Sequence, residues 1–211
     1  MKLWIRISAF LIPYVAVVVG LYVFESAWLA ILLYHTGIIF FLVIVKSEFS
    51  MKSVFSGWEI KTAIFSIITC SLAGLILYLL EHYLNILEID PGSTLAEMGL
   101  KGTSWIVLCV YFVIVHPVLE EAFWRGLLRN SKRLPSTEDF AFAGYHILVL
   151  IFFIGLPYLI LAFAVLTFSS WYWRTISNRH DGLIIPVVSH TVADLSVIIA
   201  ASYLLSNPII M

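Results

Sequence analysis

Charged residues are scarce in this chain of 211 residues. Asp, Glu, Lys and Arg together make up 12% of it, about half the roughly 25% that is usual in soluble domains. The formal net charge is −1 and the chain contains no basic tract, so nucleic acid is not expected as a partner. The shortage of charge also excludes an ordinary soluble domain with a fully solvated surface.

Cysteine is also rare, with two in the whole chain, Cys70 and Cys109. Both lie in apolar runs, and they form neither a CxxC motif nor any other ligand spacing. We therefore interpret them as packing residues. The sequence also lacks an HExxH motif, and we predict no metal and no other cofactor.

Apolar residues dominate the remainder, at 62%, and aromatic residues reach 15%. A membrane-spanning helix needs roughly 20 apolar residues, and the apolar runs cover 3–24, 27–45, 62–80, 103–129, 140–154, 158–174 and 183–205. This pattern predicts an all-α fold, a polytopic bundle of about seven transmembrane helices. We treat 1–211 as one integral membrane domain, with a catalytic core at about 103–205 and accessory N-terminal helices in 1–102.

Two interruptions of the apolar pattern bear on the topology. The Asp90-Pro91-Gly92-Ser93 sequence is typical of a turn. Gly155-Leu156-Pro157 is expected to end the fifth run, because proline removes a backbone donor. The fifth and sixth runs are short, and one kinked unit is the alternative to two separate spans.

The basic residues are distributed asymmetrically between the connections. They form four clusters, and two apolar runs separate each cluster from the next, so all four lie on the same side of the membrane. The clusters are Lys2 and Arg6; Lys46, Lys52 and Lys61; Arg125, Arg129, Lys132 and Arg133; and Arg174 and Arg179. Cytoplasmic connections carry the excess of Lys and Arg. The pattern therefore predicts a cytoplasmic N-terminus and an external C-terminus.

Eight ionisable residues lie inside the apolar runs: His35, His116, Glu120, Glu121, Arg125, His146, His190 and Asp194. Such residues are costly in hydrocarbon and are candidates for a functional site. His35 stands alone, and we interpret it as a packing residue. His116 lies four residues before Glu120 and could orient that carboxylate, although a role beside the kink-forming Pro117 is equally consistent with the spacing.

The two adjacent glutamates are expected to differ in their partners. Glu121 and Arg125 are four residues apart and can pair along one helix face. Glu120 lies about 100° around the helix from Glu121 and points elsewhere. A buried carboxylate without a cation on its own helix is suited to act as a general base or acid.

His190 and Asp194 are also four residues apart, so Asp194 can accept a hydrogen bond from His190 and fix its tautomer. His146 has no partner in its own run. Counted from the predicted cytoplasmic ends, Glu120, His146 and His190 all lie roughly 9 to 14 Å deep. This matched depth predicts one site near the cytoplasmic leaflet, and a purely structural polar contact between helices is the alternative.

Three motifs in order, Glu120-Glu121-x-x-x-Arg125, Phe142-x-x-x-His146 and His190-x-x-x-Asp194, resemble those of the CPBP or ABI family. Its members include intramembrane glutamic endopeptidases of the CAAX prenyl protease and bacteriocin-processing types. The resemblance covers about 118–202. It implies that Glu120 and His146 activate a water, that His190 and Asp194 serve the oxyanion, and that Glu121 and Arg125 support the site.

Asp194 departs from the Asn that often ends the third motif. An ionised Asp cannot donate a hydrogen bond to an oxyanion, so we expect it to orient His190. The predicted function is hydrolysis of a peptide bond in a membrane-associated protein or peptide, which could be lipidated, leader-bearing or C-terminally anchored. The lipid bilayer is the other expected partner, and the predicted location is the inner membrane of a prokaryotic cell.

Three other functions use the same residues. A zinc-dependent membrane metalloprotease would use the Glu, His and Asp side chains as ligands. A non-catalytic interaction or self-immunity protein would tolerate the loss of Glu120. A proton-coupled transporter would place its polar groups near the bilayer midplane, whereas the depths above lie towards one side.

Overall fold

The computed structural model describes residues 3–45 and 50–206, and within these ranges the chain is almost entirely helical. Lys2 and Lys46, which entered the prediction of sidedness, lie outside the described residues. The α-helices, in chain order, are α1 Leu3–Val17, α2 Ala27–Ile44, α3 Ile60–Leu84, α4 Pro91–Glu97, α5 Thr103–Ile114, α6 His116–Glu121, α7 Thr137–Leu150, α8 Leu156–His180 and α9 Ile184–Ser206. Short π-helical segments continue α1 over Val18–Val23 and α6 over Ala122–Leu127.

Five of these helical segments are long and apolar enough to cross a bilayer: α1 with its π-helical continuation, α2, α3, α8 and α9. The bent pair of α5 with the helix over 116–127 makes a sixth candidate. The fifth apolar run forms α7, whose 14 residues extend about 21 Å, short of a hydrocarbon core of about 30 Å. The all-helical membrane fold is therefore confirmed, whereas the count of seven spans is not.

The surface of these helices suits lipid. Large apolar side chains are exposed on the outer faces of the helices that could cross a bilayer; examples are Leu3, Val43, Phe65, Ile160 and Phe168. A soluble monomer rarely exposes so much contiguous apolar surface. Buried polar residues instead lie inside the bundle, in one cluster around α6 and in a second between α7 and α8 that includes Asp139 and Arg174.

The predicted turn at Asp90-Pro91-Gly92-Ser93 is wrong, because these residues begin α4. The carboxylate of Asp90 accepts hydrogen bonds from the backbone N–H groups of Gly92 and Ser93, at 3.1 and 3.0 Å. Pro91 lies in the first turn, where backbone N–H groups have no partner within the helix, so the N–H that proline lacks is not needed. A turn signature and a helix start use the same residue types, which explains the error.

The run at 103–129, predicted as one straight span, is bent by 40° between α5 and α6. The bend lies at Val115, directly before His116 and Pro117. Proline at position 117 cannot donate to a carbonyl one turn earlier and its ring crowds that turn, so the helix changes direction there. The bend turns α6 and its two glutamates into the centre of the bundle, where both are fully buried.

The predicted break between the fifth and sixth runs is confirmed, although the first helix ends before Gly155-Leu156-Pro157, which begin the second. α7 ends at Leu150 and α8 begins at Leu156, with Pro157 in its first turn. The two helices run antiparallel and in contact: Phe140 packs on Phe163, and Asp139 pairs with Arg174 at the end away from their connection. They are two helices and not one kinked unit.

α9 is positioned by a close approach to α3 at Gly74. A Cβ atom at this glycine would lie 2.0 Å from the carbonyl oxygen of Ser196, so any larger residue would push the helices apart. The Gly74 backbone N–H also donates to the Ser196 hydroxyl at 3.0 Å. Small residues of this kind allow membrane helices to pack closely, and here the contact sets the position of the helix that carries His190 and Asp194.

The connections predicted to share a face do lie together. At one end of the bundle Leu183 and Ile184 donate backbone hydrogen bonds to the loop at 50–57, and Arg129 pairs with Asp181. At the other end Leu87 pairs with Ile154. Which end faces the cytoplasm remains a prediction.

Candidate active site

Glu120 lies at the centre of the buried polar cluster, with no exposed surface. Its two carboxylate oxygens differ in their environments. The Oε1 atom accepts hydrogen bonds from the hydroxyl of Tyr34, at 2.5 Å, and from the hydroxyl of Tyr145. The Oε2 atom has no hydrogen-bond partner among the described residues. One oxygen is therefore anchored and the other is available.

The two tyrosines come from different helices, α2 and α7, and neither was predicted from the sequence. Tyr34 is held in turn by Trp124, whose indole N–H donates to the Tyr34 hydroxyl at 2.9 Å. The Trp124 and Tyr145 rings lie parallel, with centroids 6.2 Å apart. Tyrosines are frequent at membrane interfaces for other reasons, so nothing in the sequence distinguished these two from the eight others.

Two imidazoles face the available oxygen of Glu120. The Nε2 atom of His116 lies 3.4 Å from Oε2, and the Nε2 atom of His190 lies 3.8 Å from it. Of the two predicted alternatives for His116, the structure therefore favours a role in orienting the Glu120 carboxylate, although the ring also lies beside the bend. His35, predicted to be a packing residue, also contributes, since its Nε2 atom lies 3.0 Å from His116 Nδ1.

Glu121 and Arg125 form the predicted pair, with Oε1 and Nη1 3.1 Å apart and both side chains buried. The Arg125 guanidinium also lies over the rings of Phe142 and Trp173, 4.5 and 5.2 Å from their centroids. Aromatic faces attract a desolvated cation. Arg125 thus balances the charge of Glu121 beside the site and makes no ion pair with Glu120 among the described residues.

His190 differs from its predicted arrangement. Its Nδ1 atom bonds to Glu121 Oε1 at 2.8 Å, and because a carboxylate only accepts, this bond fixes the proton on Nδ1. The Asp194 Oδ1 atom lies 3.6 Å from Nε2, which is an ion-pair distance and not a hydrogen bond. Glu121, and not Asp194, therefore orients the ring. Trp173 stacks on the His190 ring, with their centroids 4.3 Å apart.

His146 lies beside the cluster but is not in direct contact with Glu120 through any described hydrogen bond. Its Nδ1 atom donates to the Phe142 carbonyl at 2.8 Å, one turn earlier in α7. Its Nε2 atom lies 3.1 Å from the Tyr145 hydroxyl, which in turn bonds to Glu120. The structure thus places His146 next to Glu120 with the Tyr145 hydroxyl between them, and its part in the site stays a prediction.

Several buried polar atoms around the site lack hydrogen-bond partners among the described residues. Within this part of the chain Glu120 Oε2, Glu121 Oε2, Asp194 Oδ2 and Arg125 Nη2 make no hydrogen bond, and Arg125 Nη1 has only its ion-pair contact with Glu121. Buried polar groups in proteins are nearly always hydrogen-bonded, to protein or to water. Unpaired groups concentrated at one place indicate where a reactant or water would bind.

Three of the residues also suit a metal ion. His116, Glu120 and His190 each offer one ligand atom, and these atoms all lie within 4.8 Å of one another. Two histidines and one glutamate form a known set of catalytic zinc ligands. The donor types therefore fit zinc, and the same three atoms are near enough to contact a single water.

Comparison with known proteins bears on the C-terminal half of the chain. Residues 102–196 match the family model described as type II CAAX prenyl endopeptidase, Rce1-like. This match confirms the family resemblance inferred from the three motifs, and it includes every residue of those motifs. No curated protein and no solved structure matches the chain. The family indicates a protease in a membrane context.

Proposed function

Because residues 102–196 match the Rce1-like family model, we propose that this chain is an intramembrane glutamic endopeptidase with Glu120 as its general base. The observation that carries the proposal is the asymmetry of the Glu120 carboxylate. Two tyrosine hydroxyls hold Oε1, whereas Oε2 faces two imidazoles and has no hydrogen-bond donor of its own among the described residues. A water bound between Oε2 and the two Nε2 atoms would be held ready for deprotonation.

In the first step the water attacks the peptide carbonyl carbon and transfers a proton to Glu120 Oε2. A C–O bond forms, and the carbonyl π electrons move to oxygen as an oxyanion. In the second step the C–N bond breaks and Glu120 returns the proton to the leaving amine. The carboxylate is thereby regenerated, and one water is consumed for each peptide bond cleaved.

His190 is the proposed donor to the oxyanion. Because its Nδ1 proton is committed to Glu121, donation from Nε2 requires the imidazolium form, with both nitrogens protonated. Glu120 and Asp194 lie 3.8 and 3.6 Å from Nε2 and compensate this positive charge. Asp194 then acts as a counter-charge, which an ionised carboxylate can do without donating a hydrogen bond.

We assign supporting roles to the remaining motif residues. Glu121 and Arg125 orient His190 and hold a positive charge near the oxyanion. His146 acts on Glu120 through the Tyr145 hydroxyl. The substrate is proposed to be a membrane-associated protein or peptide, lipidated, leader-bearing or C-terminally anchored, in a prokaryotic inner membrane.

The test has two stages. Comparative proteomics of membrane and secreted fractions from wild-type and Glu120→Ala cells identifies the cleaved protein, and a quenched fluorogenic peptide copied from its cleavage site serves as the assay. Glu120→Gln preserves the shape of the side chain and removes the base, so kcat should fall by about 10²- to 10⁴-fold. Glu97→Gln, at an exposed carboxylate in α4, is the matched control and should retain wild-type activity.

Full cleavage by a normally expressed Glu120→Gln protein would exclude the proposed base. An unchanged cellular phenotype in Glu120→Ala cells, with partner binding intact, would favour the interaction or self-immunity function instead.

A zinc-dependent protease is the second candidate, favoured by the His116, Glu120 and His190 cluster. When bound by these three side chains, zinc would polarise the carbonyl and lower the pKa of a bound water. Elemental analysis of the purified chain, with activity measured before and after a chelator, separates the two candidates. Stoichiometric zinc and chelator-sensitive cleavage would replace the glutamic mechanism.

A further inference from the structure

A string of ring groups, two buried histidines and a partly buried tyrosine, leads away from Glu120. His116 Nε2 lies 3.4 Å from Glu120 Oε2. His116 Nδ1 lies 3.0 Å from His35 Nε2, and His35 Nδ1 lies 2.6 Å from the Tyr111 hydroxyl. The three residues come from α6, α2 and α5, and both histidines are 2% exposed.

The string permits two proton arrangements of opposite direction. A neutral imidazole carries one donor and one acceptor, so two bonded imidazoles must have complementary tautomers. In one arrangement Tyr111 donates to His35, His35 donates to His116, and the Nε2–H of His116 faces Glu120. In the other, every bond is reversed and His116 turns a lone pair towards Glu120.

An ionised Glu120 selects the first arrangement, because a carboxylate has no proton to offer the His116 lone pair. A metal ion would select the second, because a ligating histidine presents a lone pair to the metal and donates its other N–H outwards. The direction of the hydrogen bonds along the string therefore depends on whether an ionised Glu120 or a metal ion faces His116 Nε2. Equally, groups at its outer end can fix the tautomer at its inner end.

We propose that Tyr111 and His35 are positioning residues that hold His116 in the tautomer with its proton on Nε2, facing Glu120. This inference rests on the proposed function, in which Glu120 is an ionised base. Neither residue touches the reacting atoms. Their effect is that the Nε2 atom of His116 presents an N–H donor, and not a lone pair, to the Glu120 carboxylate.

The tautomer is measured directly by ¹⁵N NMR of histidine-labelled full-length protein in detergent micelles, without substrate. His116 is expected to carry its proton on Nε2 in the wild type. In His35→Leu the donor to His116 Nδ1 is lost and only Glu120 still favours the Nε2–H form, so a minor population of the Nδ1 tautomer should appear beside it. A wild-type His116 protonated on Nδ1 would overturn the proposal.

Activity with the fluorogenic peptide provides the second readout. In His35→Leu, kcat should fall about 10- to 100-fold, the usual effect of losing a partner that orients an active-site histidine, and KM should stay within about twofold. His35→Gln places an amide N–H near the position of Nε2 and should recover most of the rate. His35→Asn is shorter, fails to reach His116 and should not recover it.

The polar variants keep the test informative if His35→Leu does not fold. Equal kcat in His35→Gln and His35→Asn would contradict the proposal. Tyr111→Phe tests the outer end and should show a smaller loss of kcat in the same direction. His82→Leu, at an exposed histidine of α3, is the control and should match the wild type.

Failure of this proposal is distinguishable from failure of the proposed function. If Glu120→Gln is inactive but the tautomer of His116 is the same in wild type and His35→Leu, the base stands and the positioning role does not. If Glu120→Gln is fully active, the proposed function fails, whatever the NMR shows.

Discussion

At the scale of single residues, the environment of Glu120 fixes one oxygen of its carboxylate and leaves the other free for the proposed role as a base. Hydrogen bonds to a charged group each contribute about 1.5–3 kcal/mol, and Glu120 Oε1 receives two from tyrosine hydroxyls. These bonds define the rotamer of the side chain. The other oxygen is thereby directed at His116 and His190.

Tyr34→Phe removes one of the two bonds to Oε1 and leaves the Trp124 indole N–H without its acceptor. We expect kcat to fall about ten- to a hundredfold, the equivalent of one hydrogen bond to a charged group. The measurement is steady-state cleavage of the fluorogenic peptide. Tyr22→Phe removes a hydroxyl that bonds to a backbone carbonyl at an exposed position and should change kcat less than twofold; equal losses in both variants would contradict the anchoring role.

The sequence predicts the site residues unevenly, for a physical reason. The pairing of Glu121 with Arg125 follows from spacing within one helix and is confirmed. The contacts of Glu120 with Tyr34 and Tyr145 depend on how separate helices are rotated about their axes, which spacing does not determine. For the same reason His190 turned out to be oriented by Glu121 on another helix and not by Asp194 on its own.

At the scale of elements, α7 and α8 are joined at one end by a buried ion pair. Arg174 Nη2 lies 2.7 Å from Asp139 Oδ2, and the two side chains are 2% and 1% exposed. Arg174 also donates to the carbonyls of Lys132 and Leu134, which ties the loop after α6 to the same place. The pair therefore sets the position of α7, the helix that carries Tyr145 and His146.

Asp139→Asn leaves the Arg174 charge buried without a counter-charge, and we expect it to destabilise the protein by about 3–5 kcal/mol. The readout is the Tm of the detergent-solubilised protein. Asp181→Asn breaks an ion pair at the surface, where Asp181 is 85% exposed, and should lower Tm little. A similar Tm for both variants would show that the buried pair does not hold the two helices.

The same ion pair predicts a dependence of stability on pH. Burial by itself raises the pKa of Asp139, but the hydrogen bonds and charge of Arg174, with bonds from Ser136 and Ser170, outweigh it and hold the pKa below its ordinary value. The stabilisation is therefore complete above about pH 5 and is lost as the pH falls through the lowered pKa. The Tm difference between wild type and Asp139→Asn should shrink below about pH 4; a difference that is constant down to pH 2 would contradict this.

The elements themselves are largely predictable from the sequence, and their ends are less so. The runs at 27–45 and 183–205 agree with α2 and α9 to within one residue at each end. α3 continues four residues past its predicted end, because the carboxylate of Glu81 turns inward and accepts the Leu87 backbone N–H at 3.0 Å. Hydropathy alone marks such a charge as the limit of a span, whereas the folded chain buries it.

At the scale of the whole molecule, sidedness is the property that remains to be measured. In a variant with Cys70→Ala and Cys109→Ala, single cysteines are introduced at Ser93 and Ser131, both exposed and in connections at opposite ends of the bundle. A membrane-impermeant maleimide should label Ser93→Cys in intact cells and Ser131→Cys only after permeabilisation. The reverse pattern would invert the predicted orientation.

The division into a core at about 103–205 and accessory helices in 1–102 remains a prediction, and the family match at 102–196 begins close to the proposed boundary. The site nevertheless draws on the accessory part. Tyr34 and His35, both on α2, contact Glu120 and His116. Composition and motifs predict which segment holds the candidate catalytic residues, but they do not predict that residues of another segment contact them.

The distance along the chain between these partners has a consequence for biosynthesis. Tyr34 and Glu120 are 86 positions apart, and Trp124 is 90 positions from Tyr34. At about 5–20 residues per second, the ribosome produces Glu120 roughly 4 to 17 s after Tyr34. Throughout that interval the nascent α2 carries a hydroxyl and an imidazole whose final partners have not yet been synthesised. Synthesis of α2 therefore precedes assembly of the site, and until α6 is made the polar groups of α2 depend on water or on other partners for their hydrogen bonds.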